Sequence, residues 1–276
     1  MSDSTHGSRS LAVTRCVIVF GTLVPYTLIQ WLLNTVWEAR SRAFKRWYYR
    51  QVCRAIGLRV EKLGVIAPAG PMLVVANHVS YFDIAALGAL LDCSFISRAD
   101  VRNWPVIGWS AAIQGTLFID RDRRQIRDHR DLLAQRLGRD ERLVLFPEGT
   151  SSDGMRVLPF KSALFSVAER GYNGKAVMVQ PVTIAYTKLD GLPMGRYLRP
   201  LFAWYGDMTF FGHLFLALSM GVVTVVVEFH PPVSPESFSS RKALSEHCHR
   251  VIARGLSEIL AGRRLEMTET ARICAE

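Results

Sequence analysis

Met72-Leu73-Val74-Val75-Ala76-Asn77-His78-Val79-Ser80-Tyr81-Phe82-Asp83 is an apolar run that ends on an imidazole and, five positions later, a carboxylate. A short valine-rich run of this kind fits a buried strand. If the chain turns into a helix just after His78, the spacing lets the two side chains meet. A histidine with an ordinary pKa near ~6.5 can take a proton from an alcohol at neutral pH. A carboxylate on its far nitrogen fixes the tautomer and stabilises the imidazolium. The same residues also fit a plain helix cap, with Asn satisfying free N–H groups. The rest of the chain has to choose between the two readings.

Outward from this stretch, short apolar runs alternate with helical patterns. Residues 58–63, 72–76, 93–97, 115–119, 143–146, 177–186 and 222–229 read as strands, and 82–91, 107–113, 124–138 and 160–171 as helices. That order predicts an α/β fold with a mainly parallel central sheet flanked by helices, where sites gather at the C-terminal strand ends. His78 lies at such an end. So do Arg121, after Gly115-Thr116-Leu117-Phe118-Ile119-Asp120, and Glu148, after Leu143-Val144-Leu145-Phe146-Pro147.

Composition narrows the partners. The 276 residues are 49% hydrophobic with a net charge of +10 and a mean hydropathy of +0.14. Nucleic acid or an anionic membrane would each answer that charge. No aromatic-interleaved RNA-binding signature or zinc-finger spacing is present, so the apolarity points to the membrane and no nucleic-acid partner is expected. Cys16, Cys53, Cys93, Cys248 and Cys274 are odd in number, scattered and without a C-x-x-C pair, which argues against a disulfide framework or zinc site. His247-Cys248-His249 resembles a ligand set, but neighbours on a helix point about 100° apart. No metal is expected there.

Residues 1–10 are small and polar and are expected to be disordered. Residues 16–34 carry no charge and approach the ~20 residues that cross a hydrocarbon core. Without a cleavage pattern, they predict a retained membrane anchor in which Gly21 and Pro25 are tolerated. Arg40, Arg42, Lys45, Arg46 and Arg50 follow, against Glu38 alone, which places the rest of the chain on the cytoplasmic side of the inner membrane. Val36, Trp37, Phe44, Trp47, Tyr48, Val52, Ala55 and Ile56 recur among these cations at helical spacing. They fit either an interfacial helix or one packed on the core, ended by Gly57. A second uncharged run, 208–227, reads as a buried or membrane-resting helix to about Met220 and then a strand, in preference to a second span. Residues 241–264 form a basic amphipathic helix.

Four stretches line up in order along this sheet: NHVSYFD (77–83), GTLFIDR (115–121), LFPEGTSSDG (145–154) with PFKSA (159–163), and VMVQPVTIAY (177–186). Together they resemble the glycerolipid acyltransferase family, most closely the bacterial 1-acylglycerol-3-phosphate O-acyltransferases, over about residues 70–190. The resemblance implies a glycerol-3-phosphate acyltransferase-like domain over 58–265, preceded by an anchor and basic helix at 11–57 and followed by a tail at 266–276. It implies that His78 deprotonates the acceptor hydroxyl and that Asp83 orients it. The activated alcohol then attacks a thioester carbonyl, so no serine nucleophile is needed, and Ser80 lacks the G-x-S-x-G elbow of one. Arg121 is implied as the acceptor-phosphate contact, with Lys161 as a second cation. Glu148 and Gly149 are implied to hold the acceptor and shape the turn, with Asn77 and Thr150 also carried as substrate-binding positions. Pro181 is implied to shape the acyl-donor pocket.

The resemblance therefore implies transfer of a fatty acyl group from acyl carrier protein or coenzyme A to the sn-2 hydroxyl of 1-acylglycerol-3-phosphate, giving phosphatidic acid. The thioester is a co-substrate and no further cofactor is implied. One departure bears on the acceptor: Ser151-Ser152 stand where the family often has an arginine after the threonine of the third motif. Together with the extension Trp204-Tyr205-Gly206-Asp207-Met208, this keeps open a second acceptor, lyso-ornithine lipid, which has no phosphate. A non-catalytic lipid-binding protein would be expected to have lost His78, Asp83 or Glu148, and all three are present.

Overall fold

The computed structural model describes residues 7–68, 70–119, 136–137, 141–166, 168, 177–264 and 271–272. Arg121, most of the helix expected at 124–138 and the end of that expected at 160–171 lie outside the described residues. In chain order the elements are α1 (Arg9–Val36), α2 (Glu38–Ile56), β1 (Leu58–Gly64), β2 (Met72–Ala76), α3 (Phe82–Leu90), β3 (Ser94–Arg98), α4 (Ile107–Ile113), β4 (Leu117–Ile119), β5 (Arg142–Leu145), β6 (Met178–Leu189), β7 (Leu192–Pro193), α5 (Phe210–Ser219), β8 (Val223–Phe229), α6 (Arg241–Leu260) and β9 (Ala271–Arg272).

The strands form one sheet in the order β4-β3-β5-β2-β6-β8-β1-β9, with β7 turning back on β6. β4, β3, β5, β2 and β6 are mutually parallel, so their C-terminal ends share one edge. Parallelism breaks at β6, where β8 runs antiparallel, and β1 then follows β8 in parallel. The sheet is mainly parallel, as the alternation of runs predicts. β2 and β8 are buried along their whole length, which explains why they read as continuous apolar runs: helices cover both faces.

Alternation within β2 sorts its side chains between two cores. Met72, Val74 and Ala76 pack with Phe82, Ala86 and Leu87 of α3, while Leu73 and Val75 pack with Leu244, Cys248 and Ile252 of α6. A one-residue slip of β2 would exchange the two sets, so its register with Val144 and Gln180 opposite Val74 is strongly specified.

α1 is long and apolar enough to cross a membrane, yet polar contacts join it to the domain from one end to the other. The Ser8 N–H donates to the Ser219 carbonyl (2.9 Å). The Arg15 guanidinium donates to the carbonyls of Leu218 (3.1 Å), Met220 (2.6 Å) and Gly221 (3.3 Å) at the end of α5. Thr27 donates to Ser110 Oγ (3.0 Å), and Asn34 Nδ2 to the Ile113 carbonyl (2.8 Å). At ~1.5 Å per residue these contacts are spread over roughly 40 Å of helix, so α1 lies along the domain. Its other face, with Val17, Leu28, Ile29, Trp31 and Leu32, is exposed.

α2 packs on the protein with one face and leaves tryptophans exposed at another. Tyr48 stacks on Tyr26 of α1 at 3.5 Å and is buried, while Trp37 and Trp47 are about half exposed at 49% and 51%. Its cations are partly spent inside the protein. Arg50 Nε donates to the Ala89 carbonyl (3.1 Å) and Lys45 Nζ to that of Cys93 (2.9 Å), where the C-terminal end of α3 favours positive charge. Gly57 closes the helix in the left-handed region at φ +73°, and a Cβ there would collide with Arg15. The run beyond Met208 divides near Gly221 into α5 and β8, as the sequence predicts.

Candidate active site

β2 leaves the sheet at Asn77, whose side chain fastens the exit. Asn77 Nδ2 donates to the Ile184 carbonyl (3.0 Å), and the Ile184 N–H donates back to Asn77 Oδ1 (2.8 Å). The residue is fully buried. Both polar atoms of the amide are engaged by the backbone of β6, and they fix the direction in which His78 emerges.

The backbone of His78 is held at both poles by the third-motif loop. Its N–H donates to Glu148 Oε1 (2.7 Å), and its carbonyl accepts the Ser152 N–H (2.9 Å). Its ring stacks on Phe146 at 4.1 Å between centroids. The imidazole keeps 20% of its surface exposed, so it is positioned but reachable.

Asp83 sits in the first turn of α3, where the helix end favours a negative charge. Its Oδ2 accepts from His78 Nδ1 (2.9 Å) and from the backbone N–H groups of Val79 (2.7 Å) and Ser80 (3.0 Å). Its Oδ1 accepts the hydroxyl of Tyr186 (2.8 Å). The side chain is fully buried, and a carboxylate without water needs such donors. Because a carboxylate only accepts, His78 Nδ1 carries hydrogen and Nε2 is left with a free lone pair. The loop and the helix start thus combine in the arrangement of an oriented general base, and the same carboxylate ties down the loop amides that precede the helix.

Tyr186 is the residue that reading the sequence missed. It is buried, and burial followed by the charge of Asp83 raises its pKa well above the ordinary phenol value. It therefore remains a donor. A signal existed: Val182, Ile184 and Tyr186 share one face of β6, so a hydroxyl ends an otherwise apolar row.

Glu148 is also a backbone clamp. It is 3% exposed, its Oε1 accepts from His78 and its Oε2 accepts the Leu158 N–H (2.8 Å). Burial pushes its carboxyl up to about 8, with the amide donors of His78 and Leu158 pulling the other way. The carboxyl that the family resemblance assigns to the acceptor holds the loop that carries the base. Gly149 follows at φ +71°, and a Cβ on it would lie 2.4 Å from Lys161 Nζ. Lys161 is exposed and stands over this turn, and Thr150 is exposed beside it. Pro181 is buried within the sheet opposite Val75, and its carbonyl accepts the His230 N–H (3.0 Å). Ser80 is fully buried, which removes it as a nucleophile.

The extension at Trp204 is stitched to this site. The Trp204 N–H donates to the Val79 carbonyl (3.0 Å), and Ser151 Oγ donates to the Trp204 carbonyl. Phe202 stacks behind Tyr186 at 6.3 Å, and Trp204 meets Tyr81 edge-on at 5.7 Å. Tyr81 in turn bonds His213 Nδ1 of α5 (2.9 Å).

Among the described residues no three His, Cys, Asp or Glu side chains group as metal ligands. His247 packs on Phe238, His249 on Phe160, and Cys248 lies in the core, so this triplet diverges.

The family model described as Acyltransferase matches residues 57–185. The chain is 39% identical to the lyso-ornithine lipid O-acyltransferase of Brucella abortus, over 92% of this chain and 96% of that one. It is 34% identical to the 1-acyl-sn-glycerol-3-phosphate acyltransferase of Neisseria meningitidis, over 76% of this chain and 78% of that one. The crystal structure of the 1-acyl-sn-glycerophosphate acyltransferase of Thermotoga maritima superposes with a TM-score of 0.68 at 23% identity, covering 91% of this chain and 95% of that one, and so shares the fold. With an oriented histidine at the end of β2, and with relatives of this identity matched over most of their length, the chain belongs to the acyltransferase family whose members include these lysolipid enzymes.

Proposed function

We propose that the chain transfers a fatty acyl group from acyl carrier protein or coenzyme A to the hydroxyl of lyso-ornithine lipid, at the cytoplasmic face of the inner membrane. The observation that carries the acceptor is the 39% identity to the Brucella protein of that name over nearly the whole of both chains, against 34% over a shorter part of the Neisseria protein. The use of Ser151, in the third-motif loop, to hold the Trp204 carbonyl agrees with it.

In the mechanism the acceptor hydroxyl approaches His78 Nε2. Its proton passes to Nε2 as its oxygen attacks the thioester carbonyl, and Asp83 stabilises the imidazolium through Nδ1–H. The tetrahedral intermediate collapses, the C–S bond breaks, and the thiolate recovers the proton from Nε2. No covalent acyl-enzyme forms.

The test is purified protein with labelled acyl donor and two competing acceptors, lyso-ornithine lipid and 1-acylglycerol-3-phosphate. Acylation of the first is expected, with His78→Ala lowering the rate by ~10² or more. Acylation of the phosphate lipid alone would overturn the acceptor. Arg121 in its second-motif position is the observation that favours that second reading, and Arg121→Ala would then abolish activity.

A further inference from the structure

Arg199 opens a short 3-10 turn, Arg199–Leu201, in the segment between β7 and α5. Its Nε is buried and has no hydrogen-bond partner among the described residues. The charge that bears on it is the like charge of Arg196; burial and that neighbour both lower its pKa from the ordinary arginine value. Arg199 as a whole is half-buried, so its guanidinium has lost part of its water without gaining an acceptor at Nε, and an anion reaching it from solvent would supply one.

The segment's position relates this cation to the site. Three residues beyond Arg199, Phe202 stacks behind Tyr186, the donor to Asp83. Two residues further, Trp204 bonds the Val79 carbonyl next to His78, and Ser151 holds Trp204 from the third-motif loop. The turn bearing Arg199 is therefore fastened to both loops that carry the base. At the other end the Met194 N–H donates to the Thr187 carbonyl (2.8 Å), just past Tyr186 on β6. The segment is thus tied down at each end and carries a cation whose Nε lacks an acceptor among the described residues.

We propose that Arg199, with Arg196 beside it, binds the anionic headgroup of the acceptor while the acceptor's hydroxyl lies at His78. Resting on the acceptor reading above, that anion is the carboxylate of the ornithine headgroup, which a guanidinium can meet with two parallel hydrogen bonds.

The experiment uses the full chain in detergent with saturating acyl-CoA, comparing wild type, Arg199→Gln and Arg199→Lys. For lyso-ornithine lipid, R199Q should raise KM roughly tenfold to a hundredfold, the range expected on losing a charge-assisted contact. Its kcat and its KM for acyl-CoA should stay within about twofold, and R199K should recover part of the loss. The carboxyl methyl ester of the same lipid should be poorer for wild type by a similar factor and no poorer for R199Q, a readout that general loosening of the fold would not produce. An unchanged KM in R199Q, or equal sensitivity of both proteins to the ester, would overturn the proposal. So would loss of binding to phosphatidylglycerol vesicles without a KM effect, which would assign Arg199 to the bilayer surface. Wild-type activity on lyso-ornithine lipid is read separately: if it is absent, the acceptor reading falls, and R199Q assayed on the lysolipid that is accepted still decides whether Arg199 holds an acceptor anion.

Discussion

Tyr186 donates its hydroxyl to Asp83 Oδ1 at 2.8 Å, while Asp83 Oδ2 faces His78 Nδ1 at 2.9 Å. The carboxylate is thereby held from two directions, by its own loop and by β6, the strand beside the one that delivers the histidine. Tyr186→Phe removes one donor and leaves shape and burial in place. A buried hydrogen bond to a charged group is worth about 1.5–3 kcal/mol, and only part of that bears on the reaction. We expect kcat to fall about tenfold with both KM values within about twofold. The acid limb of the pH–rate profile should move to higher pH, because a less satisfied carboxylate draws the imidazole proton more strongly. Steady-state kinetics across pH 5–9 on the purified variant checks this, and an unchanged profile would reduce Tyr186 to packing.

Glu148 ties the pH dependence of stability to the same loop. Its folded carboxyl titrates at about 8 against an ordinary value of 4.5, so the folded state favours the protonated form. Its contribution is fully present below about 4.5 and is lost as the pH rises towards about 8. Glu148→Gln does not titrate. The stability advantage of wild type over E148Q should accordingly shrink between pH 5 and pH 8.5, as measured by urea unfolding in detergent. An advantage that grows over that interval would mean that the two amide donors, at 2.7 and 2.8 Å, outweigh burial and keep the carboxylate ionised.

The fold was legible where one residue type decides locally. β2 begins and ends where its apolar run does, because Pro71 precedes it and polar Asn77 follows. Gly221 separates α5 from β8 because the valines beyond it suit a strand. β4 starts two residues later than its apolar run because Gly115 turns at φ +84°. The His78 and Asp83 pair was legible from spacing. Its supports were not: the bond from Tyr186 to Asp83 spans 103 positions and that from Asn77 to Ile184 spans 107, and only the sheet brings these together. Glu148 was legible as a site residue, but that its oxygens face backbone amides depends on where Leu158 returns.

The helix α1 shows a signal that hydropathy hides. Thr27, Gln30 and Asn34 lie at i, i+3 and i+7, one polar stripe in an uncharged run, and all three bond the domain or α2. The stripe separates two jobs that substitution can tell apart. Arg15→Ala leaves the carbonyls of Leu218, Met220 and Gly221 without their donor; at about 2 kcal/mol this should lower the unfolding midpoint by roughly 5 °C. Leu28→Gln with Leu32→Gln alters side chains that are 53% and 54% exposed, so the midpoint should stay within about 2 °C, whereas co-sedimentation with anionic vesicles should fall several-fold as apolar area is lost from the bilayer contact. If the glutamine pair instead destabilised the fold and left vesicle binding intact, the outer face of α1 would be a protein contact and the bilayer would be held elsewhere, with Trp37, at the start of α2, and Trp47 within it the next surface to change.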